Sequence, residues 1–375
     1  MNLSNIGDIF IAFVFSAIIG MFVIPKIVRV AIKKDLVAKP NHRTSHTGRI
    51  PNIGGVSIFI SFILSFIVAL NIFISKSANI SNGDMIVGYT QLQYMLFTII
   101  TLFFVGLYDD IMVISAKRKL LGELFGISIM IFLGDFRFTN LHGFFGIYDL
   151  PYFFSVFLTF FVVVVIINAL NLIDGIDGLA SGIGMLISLF FGVYFLLIDK
   201  MHFSIAAFAL VGALLPFFMY NVFAKRNKIF MGDAGALVLG FILSALVIYF
   251  NEVNILPNSP YHIVNAPMVS LCILAIPMFD TIRVFTIRLA QKRSPFSPDK
   301  NHLHHMFLAL GYNHKQATGT LLIINTIYII AGLLLQNTPK FFFFTVIFLS
   351  CVVWSELLRF VIKTREKEKC DKVFS

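Results

Sequence analysis

Long, almost uncharged runs broken by short polar stretches set the rhythm of this 375-residue chain. Eleven runs stand out, near residues 6–24, 53–74, 91–108, 120–134, 153–170, 179–198, 203–220, 236–250, 267–287, 317–336 and 341–361. A helix needs about 20 mostly apolar residues to cross the hydrocarbon core of a bilayer. Helices and closed barrels are the structures that satisfy their own backbone groups there. The pattern therefore predicts an all-α polytopic membrane protein of about eleven transmembrane helices. The fourth and eighth runs are short, so their limits are soft. The runs leave no room for a soluble domain, and no repeat of about 20–50 residues is visible. Residues 1–361 read as one integral membrane domain, and 362–375 as a short charged tail. The first run carries Asp8 and no Lys or Arg ahead of it, unlike a secretory leader.

Composition agrees: 58% of the residues are hydrophobic and only 13% are charged. A soluble domain carries about a quarter charged residues. Three scattered cysteines, Cys272, Cys351 and Cys370, offer neither a disulfide framework nor a CxxC metal pair. The 29 Lys and Arg divide 25 to 4 between the two alternate sets of connections. Positive charge accumulates on the cytoplasmic side. The N-terminus is thus expected outside and the C-terminus in the cytoplasm. The net charge of +10 then belongs to the cytoplasmic face, where it suits anionic headgroups and phosphorylated substrates.

The acids fall on that same face, although only positive charges set the topology. Asp109 and Asp110 end the third run, Asp174 and Asp177 follow the fifth, Asp233 precedes the eighth, and Asp280 lies in the ninth. Carboxylates at the C-terminal ends of helices meet the negative end of the dipole and one another. Lys117, Arg118 and Lys119 could compensate as a local ion-pair cluster, or a bound cation could. Such acids together on one face favour a site, because acids at membrane depth mark function by default.

The stretch "NALNLIDGIDGLASG" has its own geometry. Asn168, Asn171, Asp174 and Asp177 recur every three residues. Each step of three falls about 60° short of whole helical turns, so one straight helix cannot aim all four at a single ligand. Gly175 and Gly178 permit a break. The expectation is a helix end, a short turn and a new helix. Such Asp and Asn oxygens suit Mg²⁺ or Mn²⁺ rather than zinc. Asp233, in a glycine-flanked loop, fits the role of ligand, or that of N-cap to the eighth helix. Further on, "KRSPFSPDKNHLHHMF" sets His302, His304 and His305 behind Arg293, Asp299 and Lys300. Structural zinc wants four ligands and no Cys helps. The composition favours a cationic, hydrogen-bonding loop that grips a phosphate or a sugar.

Five segments, "RIPNIGG", "GLYDD", "NALNLIDGIDGLASG", "FMGDAGAL" and "SPFSPDKNHLHH", run in this order from Arg49 to His305. In them the chain resembles the polyprenyl-phosphate N-acetylhexosamine-1-phosphate transferases, in particular the WecA/TagO-type branch of bacterial undecaprenyl-phosphate GlcNAc-1-phosphate transferases. The resemblance implies a catalytic membrane domain of the bacterial inner membrane, with its active site in a cytoplasmic-face cleft. It implies transfer of an N-acetylhexosamine 1-phosphate, most simply GlcNAc 1-phosphate, from a UDP-sugar to undecaprenyl phosphate, with release of UMP. This would be the first membrane step of a surface glycan such as a cell-wall polymer or lipopolysaccharide. It also implies residue roles. Asp233 and Asn171 would hold Mg²⁺, or Mn²⁺ in its place. Asp109 and Asp110 would lie near the lipid phosphate, with Asp109 as a base or a positioning group. Asp174 and Asp177 would serve nucleotide binding and organise the site beside Asn168. Phe230 and Asn221 would contact uracil, although the extra residues "AKRNK" separate them here. Arg293, His302, His304 and His305 would meet the sugar phosphate. The expected partners are the UDP-N-acetylhexosamine, undecaprenyl phosphate and the bilayer; a homodimer is left open, and no nucleic acid is expected. Two other readings stand beside this one: the phospho-MurNAc-pentapeptide transferase branch of the same family, and an ion-coupled transporter.

Overall fold

The computed structural model describes residues 3–37, 50–77, 83–257, 259–294 and 301–374. Arg49, Asp299 and Lys300, which two of the motifs include, lie outside the described residues. The chain opens with α1 (Leu3–Lys33), α2 (Gly55–Ser77), α3 (Gly83–Met112) and α4 (Ala116–Phe132). A hairpin follows, β1 (Asn140–Phe144) and β2 (Ile147–Asp149). Then come α5 (Tyr152–Ile173), α6 (Leu179–Leu197), α7 (Met201–Val222) and α8 (Gly232–Val253). The last third holds α9 (Ala266–Ile273), α10 (Ala275–Ala290), α11 (Leu303–Ala309), α12 (His314–Leu335) and α13 (Lys340–Phe374).

Among the described residues, nine helices are long and apolar enough to cross a membrane. The all-α polytopic expectation therefore holds, but two of the eleven runs differ in form. The fourth is α4, whose 17 residues span only about 25 Å. Its basic first turn and Glu123 dilute its apolar character. The ninth is broken: α9 and α10 meet at an 80° bend. Hydropathy records how apolar a segment is, not where it points, so the bend left no trace in the run. α13 continues through the charged tail to Phe374.

α8 forms the axis of the bundle. Of its apolar window 89% is buried, against 17% for the peripheral α13. α2, α3, α5 and α6 pack around it. A Cβ on Gly106 of α3 would lie 2.5 Å from Ala234 Cα, so the absence of a side chain lets α3 touch the first turn of α8. That contact delivers the end of α3 to the start of α8. One end of the bundle thus collects the C-terminal ends of α3, α5 and α7 and the N-terminal ends of α4, α6, α8 and α12. The hairpin closes the opposite end. There Glu252, at the end of α8, accepts hydrogen bonds from the Thr139 backbone N–H (2.8 Å) and hydroxyl (2.6 Å).

Candidate active site

Asp110 is the hinge of the acidic end. Its carboxylate accepts the backbone N–H groups of Asp233 (2.7 Å) and Ala234 (3.0 Å). It therefore satisfies the orphan donors at the start of α8 from a different helix. Gly232, at φ +73, makes the approach possible, because a Cβ there would strike Asp110 and the Asn52 carbonyl. Asp233 itself stands in the first turn of α8 and is not the cap. Its carboxylate points into the cleft, where Lys119 Nζ pairs with Oδ1 and Asn171 Nδ2 donates to the same oxygen at 2.7 Å. Lys119 also reaches Asp109 Oδ2 at 3.2 Å. Asp109 Oδ1 accepts the Ile114 backbone N–H at 2.9 Å, which fixes the carboxylate over the α3–α4 turn. Asn168, one turn before Asn171, donates to the Val164 carbonyl (2.8 Å) and faces Glu123 of α4 (3.5 Å).

The helix break falls where the glycines predicted it. α5 stops at Ile173, Gly178 turns at φ +79, and α6 starts at Leu179. The Asp174 carboxylate, at the break, makes no hydrogen bond or ion pair among the described residues, although its backbone N–H donates to the Asn171 carbonyl (3.3 Å). Crowding by protein atoms strips the carboxylate of water, and Asp233, Asp110 and Asp177 add repulsion. Together they push its pKa well above the usual carboxylate range. Asp177 is placed differently. Burial raises its pKa, but hydrogen bonds from His314 and Lys228 outweigh that and hold it below the usual value. Lys228 Nζ lies 2.6 Å and His314 Nδ1 3.2 Å from Asp177 Oδ2. Lys228 also stands 5.9 Å from the centre of the Phe230 ring. Asn221 is a brace here. Its Oδ1 accepts from Gly178 N–H (2.6 Å) and its Nδ2 donates to the Ile229 carbonyl (2.8 Å). Both ends of the amide are engaged and the residue is buried, so it clamps the break to the chain just before Phe230.

The histidines do not form a loop: His302 stands at the N-cap position of α11 without a side-chain cap, while His304 and His305 lie in its first turn. Asp280 of α10 organises them. It accepts from Arg283 (3.0 Å), pairs with His302 Nδ1 (2.9 Å) and receives the Leu303 backbone N–H (2.9 Å). His304 is buried over the helix break, so close that a Cβ on Gly175 would lie 2.5 Å from its Nε2. Burial, reinforced by neighbouring His305, pushes its pKa down to about 3. His305 is half-buried, its ring centre 4.3 Å from that of His304. Arg293, the expected cation, is exposed where the chain leaves α10. Among the described residues, Arg283 and Arg288 are the buried arginines, and Arg288 lies 3.5 Å from His302 Nε2.

The structure thus joins Asp110 and Asn171 to Asp233 directly and Asp109 to it through Lys119, while Asn168 turns to Glu123. It places Asp174, Asp177, Phe230 and His304 around the adjoining break, with His302 and His305 behind. The sequence offered Lys119 as one of three cations in a local ion-pair cluster, and it pairs with the neighbouring Asp109 but also with the distant Asp233. Reading the sequence alone missed Lys228, His314, Arg283 and Arg288. The signal for Arg283 was its spacing of three from Asp280 on one helix; His314 carried none.

Does the donor set fit a divalent cation? No three acidic, His or Cys side chains among the described residues converge tightly enough to hold an ion unaided. Magnesium asks for less, since it uses one or two carboxylates and takes the rest from water and phosphate. Asp233, the Asn171 amide and the unpaired Asp174 supply hard oxygens, and the surplus of acid calls for a cation. The residues fit.

The site is thus a gathering of acids and cations at one end of a polytopic helical bundle, around a broken helix. The chain belongs to glycosyl transferase family 4, whose profile matches residues 92–251. Among its relatives is the undecaprenyl-phosphate alpha-N-acetylglucosaminyl 1-phosphate transferase of Escherichia coli strain K12, 30% identical over 84% of this chain and 80% of that protein. Proteins of the same name from Yersinia pestis (30% identical, 77% and 74% covered) and Pasteurella multocida (32%, 77% and 75%) match as well. The matched family region contains all of the acidic cleft except its Asp280–α11 and His314 walls.

Proposed function

We propose that this protein transfers N-acetylglucosamine 1-phosphate from UDP-GlcNAc to undecaprenyl phosphate, on the cytoplasmic face of the bacterial inner membrane. The convergence of Asp233, Asn171, Lys119 and Asp109 at one end of the bundle carries the reading, and the names of the relatives support it. An oxygen of the lipid phosphate attacks the β-phosphorus of the nucleotide sugar. The bond from that phosphorus to the bridging oxygen breaks, and UMP leaves with the electron pair. The lipid phosphate is a monoester with a second pKa near 6, so it is largely dianionic and needs little deprotonation. The difficulty is to bring two anions together.

The residues divide that work. Asp233 and Asn171 would hold Mg²⁺ at the diphosphate. Mg²⁺ would supply charge neutralisation and alignment for in-line attack. Asp110 fixes Asp233 by capping α8. Lys119 balances Asp109 and Asp233, and its ammonium is positioned for the lipid phosphate once a cation takes over Asp233. Asp109 orients Lys119 and is not required as a strong base. Asp177, held by Lys228 and His314, shapes the nucleotide side beside Phe230. His304 presses on the break, and the α11 histidines with Arg288 face the sugar phosphate. The 25-to-4 division of Lys and Arg supports a cytoplasmic orientation for this end, where nucleotide sugars are made. A transporter is disfavoured, because residues 236–250 at the core of α8 carry no charge for a relay. Incubating purified protein with undecaprenyl phosphate and a panel of UDP-sugars, followed by mass spectrometry of the lipids, tests the proposal. GlcNAc-diphosphate lipid and UMP in equal amounts are expected. Absence of any sugar-diphosphate lipid with every donor would overturn it.

A further inference from the structure

Away from the acidic end, a cavity of about 610 Å³ opens between the C-terminal halves of α6 and α12 and the chain that follows α8. α6 begins just past Asp177, and α12 begins at His314, which contacts Asp177. Their C-terminal halves therefore lie at the hairpin end, in the leaflet opposite the acidic cleft. The mouth is apolar and open to the flank, with Leu189, Val193 and Leu197 each more than 40% exposed. Polarity is concentrated at the end where the helices stop, at His262 and Gln336. His262 Nδ1 and Gln336 Oε1 are enclosed there without a hydrogen-bond partner among the described residues. Two other polar groups in the wall are satisfied: the Tyr194 hydroxyl donates to Asn254 (2.8 Å) and that of Thr326 to the Leu322 carbonyl (2.8 Å).

A buried polar atom left unpaired costs free energy, so two in one cavity point to a ligand that meets them. The volume lies in the range of about 300–1,000 Å³ typical of small-molecule sites. The apolar walls call for hydrocarbon and the closed end for a headgroup. We propose that this cavity holds one acyl chain of a phospholipid from the leaflet at the hairpin end, with the headgroup hydrogen-bonded to Gln336 and His262. Gln336 Oε1 can only accept, whereas a histidine nitrogen can do either. The headgroup must therefore bring a donor, an ammonium or a glycerol hydroxyl, which choline lacks. A polyprenyl phosphate does not meet this need. Its one polar group belongs at the acidic end, and its tail has nothing to offer Gln336.

The test is lipid retention, read by native mass spectrometry and lipid extraction. It is independent of transfer activity, so its failure and the failure of the proposed reaction are distinguishable. Protein exchanged into ethanolamine, glycerol or choline phospholipids and then stripped with detergent is expected to keep one phospholipid per chain from the first two only. Val193→Trp, which fills the mouth, should cut retention at least tenfold while turnover stays unchanged. The double variant His262→Leu with Gln336→Leu leaves the cavity open and should hold choline and donor lipids equally. Undiminished retention in Val193→Trp, equal retention of choline lipid by the unaltered protein, or a polyprenyl phosphate as the retained molecule would each overturn the assignment.

Discussion

Asp110 and Asp233 sit on different helices, yet the carboxylate of the first caps the backbone of the second, at 2.7 Å to the Asp233 N–H. Two acids that read as equals in the sequence thus have different work: one holds the helix end and the other faces the cleft. Losing such a cap costs about 0.5–2 kcal/mol. Asp110→Ala is expected to lower the thermal midpoint in detergent and to lower turnover, because Asp233 loses its anchor. Asp110→Asn keeps one acceptor oxygen and should recover most of the stability. Equal stability of Asp110→Ala and the unaltered protein would show that the cap is dispensable.

Asp233 itself should behave in the opposite way. Asp233→Asn keeps the shape of the side chain and relieves repulsion with Asp174 and Asp110. The variant should fold at least as well while turnover falls by about 100-fold or more, the scale of losing one electrostatic contact in a closed site. Turnover of the unaltered protein should vanish with EDTA and return with Mg²⁺ or Mn²⁺. Full activity after thorough chelation would remove the cation from the mechanism.

The partnership of Lys119 with Asp233 spans 114 residues, and that is why the sequence could not show it. What lipid demands is legible: long apolar helices, and acids tolerated only at a site. Gly175 and Gly178 likewise announced the break after Asp174. Direction and pairing are another matter. The α9–α10 bend carries no apolar signature. The seven-residue α11 is too short for a periodic pattern. The hairpin at Asn140–Asp149 hid in the connection between the fourth and fifth runs, although Gly143 and Gly146 bound its turn. Asn221 shows the limit most plainly, because only contacts reveal that both ends of its amide are taken by the backbone.

Lys228 and His314 both lean on Asp177, on the side of the cleft assigned to the nucleotide. Their loss should weaken ground-state binding more than chemistry. Lys228→Met and His314→Gln are expected to raise KM for the UDP-sugar by about tenfold, equivalent to roughly 1.4 kcal/mol, with kcat changed less than twofold. A fall in kcat at constant KM would move Asp177 to the reacting phosphates.

His304 gives the protein an acid-sensitive seam. Burial lowers its folded pKa to about 3, whereas an unfolded histidine titrates near about 6.5. Between these values the unfolded chain binds more protons, so stability rises with pH across the window and falls on acidification. From pH 7 to pH 5 the loss from this residue is on the order of 2 kcal/mol. His304→Gln removes the titration and should flatten the decline of the thermal midpoint over that range. An unchanged slope would show that His304 is already protonated in the folded state.

Orientation decides whether the whole site meets its substrates. Ala116 opens α4 beside Asp109, and Ala224 follows α7 beside Asn221, so both mark the acidic end. Ile147, in the hairpin, marks the other. In a background without Cys272, Cys351 and Cys370, cysteines at 116 and 224 should resist a membrane-impermeant thiol reagent in intact cells and label once the membrane is opened. A cysteine at 147 should label from outside. Nucleotide sugars are made in the cytoplasm, so the reverse pattern would place Asp233 and Asn171 where no donor reaches them. It would also break the reading of the 25-to-4 charge division, because Lys117, Arg118 and Lys119 lie on the same short connection as Ala116.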